Sequence, residues 1–482
     1  MPQFLLLPGA SSETVKSQDN QKTVNWYMEI DDSGLGQGAP GGKYPVILRP
    51  TPGLKPFAAI GSGVGEIRAL FDHRDVLYVV ANNTFYSVGT DGTETVKGTL
   101  SSFSGVVQIA ASNSQIMIVD GTIGYVYNVD TDIFQTITDT DFTSTPDDVT
   151  YQDGFFVVVS QTDHKFYLSS INEALDWQAL DFASATSHPD KLIGVTSDHR
   201  ELWLFGTKTT EVWFNSGNAT FPFERRPGVL ISKGLAARDS LVQTDNSLFW
   251  LARDEQGEST VVRASGYTPQ VISSVAVSQA IDSYDTVSDA VAFSYREGKH
   301  EFYVISFPTA NKTWVYDIST NQWHERDSYD GGDYNRYRAQ VYAYSNGKHI
   351  VGDYSSRNLY ELDDKTYTDN GELIRRMRRT KNYQANNNLS SMYNLVIDFE
   401  PGVGLDAGQG SDPQVMLRVS KDGGHTFGNE MMRDIGAAGV YNRRAKWDML
   451  GSARVWSLEI TVTDPVNAVL LGGYADIEPG DA

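Results

Sequence analysis

The sequence predicts an all-β chain: a β-propeller of about seven blades, six being possible, with an N-terminal extension and a C-terminal β-sandwich-like domain. Three observations predict it. Residues 193–226, IGVTSDHRELWLFGTKTTEVWFNSGNATFPFERR, read as four short strands separated by turn residues, which is the content of one propeller blade. The central apolar run of that stretch recurs along the chain. Near Ser390 the recurrence stops and strands of another spacing begin.

Within the first blade-like stretch, Ile193 and Val195 alternate and Ser197-Asp198-His199-Arg200 form a turn. Leu202 to Phe205 and Val212-Trp213-Phe214 are apolar runs, and Phe223-Glu224-Arg225 is the fourth strand. The central run returns at Leu77, Ile116, Phe155, Leu248, Phe302 and His349. Successive runs start about 39, 39, 47, 46, 54 and 47 residues apart, a period that marks propellers or arrays. Turn residues precede the runs, as at Asp153-Gly154, Asp245-Asn246-Ser247, Glu297-Gly298-Lys299 and Ser345-Asn346-Gly347. A third strand follows most of them, as at Phe85-Tyr86, Tyr125-Val126-Tyr127, Phe166-Tyr167, Trp314-Val315-Tyr316 and Leu359-Tyr360.

Three regions are expected: 1–60 as extension and closing strand, 61–372 as propeller and 373–482 as the sandwich-like domain. In the extension, Val24 to Glu29 reads as a short strand and Asp31 to Gly42 as a Gly-rich loop. Tyr44 to Arg49 reads as a strand stopped by Pro50-Thr51-Pro52-Gly53. The last repeat lacks a fourth strand, and a ring must hide its edges, so Tyr44 to Arg49 is expected to supply it. Asn172 to Leu192 and Tyr267 to Asp289 read as long partner-contacting loops, the second with room for a short helix.

With 482 residues and 40% hydrophobic content the chain is globular. It has no membrane-length apolar stretch, and MPQFLLLPGASS lacks a signal peptide's positive start. Zero cysteines exclude disulfides and thiolate metal sites. A net charge of −22 argues against general nucleic-acid binding. It suits solubility, or a surface past which DNA slides. No phosphate loop, Rossmann fingerprint, His-Glu-x-x-His or Gly-x-Ser-x-Gly elbow is present. Asp120, Asp153 and Asp353, beside apolar runs, read as turn caps. The predicted catalytic, cofactor and metal sets are therefore empty.

Two motifs stand out. Leu373 to Lys381 is a basic island whose Arg375, Arg376, Arg378 and Arg379 would point to both faces of a strand. They suit a charged linker strand, an ion-paired docking seam against an acidic subunit or, less well, a phosphate contact. Ser420-Lys421-Asp422-Gly423-Gly424-His425-Thr426-Phe427 matches an Asp box. There Ser420, Asp422, Gly424 and Thr426 would build a turn and Phe427 would pin it to the core.

The order of features resembles the tail hub or nozzle proteins of short-tailed phages, also called packaged DNA stabilization proteins. The matching pieces are Val24-Asn25-Trp26-Tyr27, Leu48 to Leu54, His188-Pro189-Asp190 with Ile193-Gly194, Glu211 to Phe214 and Ile231 to Ala236. Ser420 to Gly424 and the stretch from Arg443 to Ile460, with Gly451 and Arg454, continue the order. The Gly-rich Asp31 to Gly42 segment is not among the pieces that map onto the family. The resemblance implies a structural virion protein without cofactor: a propeller subunit, made in the host cytoplasm, that forms a homohexamer under the portal and adaptor rings. It also implies that the ring extends the DNA channel, retains packaged DNA without reading its sequence, serves genome ejection and holds needle, fibre or spike proteins. Asn25 and Trp26 join the four arginines as candidate subunit contacts.

The alternative is a glycan-binding or sialidase-like phage propeller. It needs an arginine triad around a central pocket, and the inner strands offer no evident set. A third reading is a monomeric interaction propeller.

Overall fold

The computed structural model describes residues 3–4, 9–10, 19–30, 46–160, 162, 164–185, 190–254, 256–384 and 388–480. The Gly-rich Asp31 to Gly42 segment, Tyr44 and Pro45, and Ser187-His188-Pro189 lie outside them, as does most of the chain start.

Seven antiparallel sheets follow one another over 67–99, 108–136, 148–184, 192–231, 234–271, 291–325 and 339–363. We number these blades 1 to 7. Each second strand is an apolar run buried on both faces because alternate side chains enter two different cores. In blade 1, Tyr78 and Val80 pack with Ile116 and Ile118 of blade 2. Leu77 and Val79 pack the other way, against Ile350 and Leu359 of blade 7. Seven such shared cores close the ring. The helix Val275–Asp282, capped by the Ser274 hydroxyl, inserts Val277 and Ile281 between blades 5 and 6.

The ring closes on a different strand from the expected one. Gly53–Ala59 pairs with Asn358–Asp363 as the fourth strand of blade 7. Val46–Pro50, expected there, lies in the sandwich between Trp26–Ile30 and Leu470–Pro479. Pairing in the sandwich ends at Pro50, opposite Trp26, and the chain leaves one domain for the other across Thr51 and Pro52. The expected loop Asn172 to Leu192 is largely strand: Glu173–Ser184 is the outer strand of blade 3. Its outward residues are exposed, so no apolar run announces it.

In the C-terminal domain, Trp26–Ile30, Val46–Pro50, Leu470–Pro479, Ser390–Phe399 and Ala445–Ala453 form one sheet. The other contains Arg376–Arg379, Ser457–Val462, Gln414–Ser420 and Met431–Asp434, and it does not end at the domain border. Lys22–Val24 pairs antiparallel with Arg376–Arg379 and parallel with Gln322–Glu325, the outer strand of blade 6. Nine strands thus run unbroken from propeller to sandwich. The sandwich core includes Trp26, Met28 and Leu48 from the N-terminal region with Trp447, Trp456 and Leu458.

Candidate functional site

Two places gather polar chemistry: the propeller axis and the seam between the domains. At the axis the inner strands leave a cavity of about 470 Å³. Arg68 and Arg238 line it, so arginines do face inward, contrary to expectation. Neither is left for a ligand. Arg68 donates Nε to the Gly105 carbonyl, Nη1 to those of Asn82 and Ser102, and Nη2 to Ser102 Oγ and the Ser104 carbonyl. All five of its N–H donors are thereby matched. Arg238 donates to both carboxylate oxygens of Asp239 and to the Asp147 carbonyl.

The Arg238–Asp239 pair, on a short 3-10 turn of blade 5, crosses the axis. Gln108 of blade 2 donates to Asp239 at 2.6 Å, and Arg238 reaches blade 3. Asp148 lines the same cavity, accepting from the backbone N–H groups of Val149 and Val195. Burial pushes its carboxyl up to about 7 against the pull of Arg238. Asp148 ties blade 3 to blade 4, so its role is in joining strands. Sequence reasoning missed these residues. The available signal was polar side chains at the start of inner strands, where a closed ring needs interblade donors and acceptors.

Asp120 and Asp353 do cap turns. Asp120 accepts from the Thr122 and Ile123 N–H groups, and Asp353 from the Ser355 N–H and the Ser355 and Ser356 hydroxyls. Asp153, at φ 49°, meets Arg200 of the neighbouring blade. Among the described residues, no group of three or more His, Asp or Glu could hold a metal, and no helix is long and apolar enough to cross a membrane.

The predicted interface residues meet at the seam inside the chain. Asn25, at φ 53°, is the kink between Lys22–Val24 and Trp26–Ile30. Its side chain donates to Asp327 of the propeller and to the Arg375 carbonyl, and accepts from the Asp327 N–H. Trp26 is fully buried and donates Nε1 to the Ala468 carbonyl. Arg375 pairs with Asp327 and lies 3.7 Å from the Tyr334 ring centroid. Arg376 donates to the carbonyls of Asp464 and Tyr367. Arg378 reaches the Lys22 carbonyl, Thr23 Oγ1 and Gln21 Oε1. Arg379 and Arg418 share Glu459, and both guanidiniums face the Phe427 ring.

The expectation of a docking surface for another subunit is therefore corrected for the most buried of these residues. Arg376, Arg378, Asn25 and Trp26 are each at most 1% exposed, which leaves no face for a neighbour. Burial lowers the pKa of Arg376 to about 10 and of Arg378 to about 9. Both stay charged at neutral pH and are held mostly by carbonyl dipoles. Removing such partners from a buried charge is costly.

Ser420, Asp422, Gly424 and Thr426 build a turn, whereas Phe427, expected to pin it to the core, lies half-buried against the guanidiniums of Arg379 and Arg418. Ser420 Oγ donates to Asp422 and accepts from the Gly424 N–H, while Thr426 donates its N–H and hydroxyl to Asp422. These hydrogen bonds hold the Asp422 carboxyl well below its usual range, outweighing desolvation. The turn also touches the seam, because the Asn20 amide donates to the Gly424 carbonyl.

Charge is divided unevenly. Residues 1–372 carry 27 Lys and Arg against 48 Asp and Glu, and residues 373–482 carry 12 against 13. The propeller side thus holds nearly all the excess of negative charge.

A family model described as "Bacteriophage P22 Gp10, beta-propeller" matches residues 3–367, and one described as "Bacteriophage P22 Gp10, beta-sandwich" matches residues 375–478. None of the curated proteins compared with the chain matches it. Among solved structures, the WD40 β-propeller domain of Doa1 is 13% identical, with TM-score 0.40, covering 64% of this chain and 96% of that one. The Neurospora crassa Pan2 WD40 domain is 9% identical, with TM-score 0.43 and coverages of 64% and 95%. The extracellular domain of a putative hybrid two-component system, BT4673 of B. thetaiotaomicron, is 9% identical, with TM-score 0.44 and coverages of 76% and 45%.

Proposed function

Because the chain belongs to the bacteriophage P22 Gp10 family of phage structural tail proteins, we propose that it is a tail hub, or nozzle, subunit. In this reading six copies form a ring below the portal and adaptor, extend the DNA channel and anchor fibre, spike or needle proteins. The virion tail is its place of action.

The observation that carries the reading is the unbroken sheet between the domains, with Lys22–Val24 as its splice. A subunit that bears the pressure of packaged DNA needs two domains that move as one, and shared backbone hydrogen bonds supply that stiffness. The closed axis adds a constraint. With Asp239 bonded to Gln108 across the middle, DNA would have to pass between subunits of a ring and not through a propeller. A lumen lined by propeller surface would be acidic, and few phosphate contacts would slow a moving duplex.

The sialidase-like reading fares poorly on chemistry. The two arginines that line the axis cavity spend their donors on protein oxygens, so neither is set to bind a substrate carboxylate.

Mass photometry of the purified chain, alone and with portal–adaptor complexes of the same phage, tests the hub reading. Addition of about six copies, with or without the template, supports it. A monomer that ignores the template overturns it.

A further inference from the structure

A second cavity, of about 400 Å³, opens beside the hairpin ends of blades 5, 6 and 7. Blade 7 lines it with Tyr342, Tyr344 and His349. Blades 5 and 6 line it with Thr244, Ser294, Tyr295, Arg296 and Glu301. The blade 7 side is aromatic, and the other side adds hydroxyls and an ion pair to one further ring.

The aromatic side is held in place. Tyr342 stacks on Phe293 with ring centroids 5.8 Å apart and its hydroxyl meets His349 Nδ1 at 2.9 Å. Tyr344 meets the His349 ring at a tilt, with centroids 4.9 Å apart and planes 55° from parallel, and is 55% exposed. Burial lowers the pKa of His349, so the imidazole beside Tyr344 is neutral at neutral pH. Tyr344 is thus a half-exposed aromatic ring braced at one side, with open space beside it.

The polar side is also pre-set. Glu301 accepts from Arg296 Nη2, from the Thr244 hydroxyl and from the Asp245 N–H. These bonds hold its carboxyl below the usual range, as an anion. Arg296 keeps 69% of its side chain exposed, so part of its guanidinium faces the cleft mouth. The pair places a strong donor and a strong acceptor side by side with no net charge.

We propose that this cleft binds a neutral pyranose ring. A pyranose has an apolar C–H face for Tyr344 and adjacent hydroxyls for the Arg296–Glu301 pair. Other ligand classes fit less well. An anion finds the guanidinium already neutralised. A purely apolar ligand would dehydrate Glu301, Thr244 and Ser294 without replacing their water. A nucleotide could stack on Tyr344, but its phosphate would approach a chain of net charge −22. The inference goes beyond the structural role and is independent of it, because it needs only the folded propeller.

Saturation-transfer NMR on the full-length chain tests it, with the methyl glycosides of glucose, galactose, mannose and rhamnose at millimolar concentration and with a nucleoside monophosphate for comparison. The expected result is saturation of the ring C–H protons of at least one glycoside. Tyr344→Ala should weaken that binding about tenfold or more by removing the ring, and Tyr344→Phe should retain it. Arg296→Ala should weaken it several-fold with the thermal midpoint unchanged. Silence from all four glycosides overturns the proposal. So does a glycoside signal that survives Tyr344→Ala, or binding of the nucleotide alone.

Discussion

Gln108 and Asp239, 131 residues apart in sequence, meet across the propeller axis with Gln108 Nε2 2.6 Å from Asp239 Oδ1. Asp239 also takes the Nε and Nη2 donors of Arg238. One carboxylate thus anchors blade 2 to blade 5 and neutralises the guanidinium that reaches blade 3. Asp239→Ala should leave that guanidinium short of a partner and lower stability by about 3 kcal/mol. Amide exchange in Gln108–Ala111 should quicken. A variant whose blade 2 amides stay as protected as in the parent would show that the contact is incidental to ring closure.

The pH dependence of stability should carry the mark of Glu297. Desolvation raises its carboxyl from the ordinary 4.5 to about 7, with Arg326 and Arg49 pulling against it, and its Oε2 is buried without a hydrogen-bond partner. The titratable and charged groups around it include Tyr27, Tyr295, Tyr337, His300, Arg49, Arg326 and Asp364. Because the folded pKa is the higher one, the folded chain holds more protons between these two values. The stability contributed by Glu297 is complete below this window and is lost as pH climbs through it. Glu297→Gln should remove that decline. At pH 8 the variant should be the more stable protein by at most about 3 kcal/mol, and at pH 4 the advantage should vanish. Urea midpoints at the two pH values decide it; equal differences at both would sink the assignment.

The blades were legible because each second strand is buried on both sides. A run such as Phe302-Tyr303-Val304-Ile305 has no polar alternate to blur it. The Asp box was legible because its turn is built from residues close in sequence. The closing strand was not. Gly53–Ala59 contains Pro56 and three exposed positions, Lys55, Pro56 and Ala59, and a proline demotes a run on inspection. The buried arginine strand was misread for a related reason. RRMRR has the composition of a solvated face, and its burial depends on acceptors from other segments, among them the carbonyls of Gly9, Lys22, Tyr367 and Asp464, Thr23 Oγ1 and the carboxylates of Asp327 and Glu459.

Arg378 should act as the latch of the N-terminal segment. Among the described residues, its acceptors include the carbonyls of Gly9 and Lys22, Thr23 Oγ1 and Gln21 Oε1, which belong to residues 9–23. Arg378→Met keeps much of the volume and strands those acceptors, at a cost of about 3 kcal/mol. Lys22, paired with Glu325 at 3.0 Å in the parent, should become an early tryptic site. Mass spectrometry of a timed digest reads this directly. Lys22 remaining as resistant as in the parent would place the latch elsewhere.

Gly424 is a position where a side chain has no room and the backbone no freedom. Its φ is +87°, and an added Cβ would collide with the Asn20 side-chain amide. Gly424→Ala should therefore cost about 1–3 kcal/mol through left-handed strain and a displaced Asn20. Asp422→Ala, which removes the acceptor for the Thr426 N–H and hydroxyl, should cost a similar amount. The Gly424 variant alone should also loosen residues 19–24, because only it pushes on Asn20. Hydrogen exchange there separates the two; identical profiles would mean that the turn does not support the seam.

The sandwich should fail to fold when cut at its apparent border. A fragment of residues 373–482 lacks Trp26–Ile30 and Val46–Pro50, which pair within one sheet, and Lys22–Val24, which covers Arg376–Arg379 in the other. It also lacks Trp26, Met28 and Leu48, which are part of its core. Leu395, Ile397, Trp447 and Leu470 would face water on one side, and Arg378 would lose the acceptors of residues 21–23. Losing three buried side chains of this size removes about 6 kcal/mol of apolar burial, comparable to the whole stability of a domain. The fragment should be unfolded by circular dichroism and near-ultraviolet fluorescence. Joining residues 19–51 to its start through a flexible linker should restore a cooperative melt. A cooperative melt of the bare fragment would mean that the C-terminal strands suffice. In that case the N-terminal strands would be a clasp added to a finished domain.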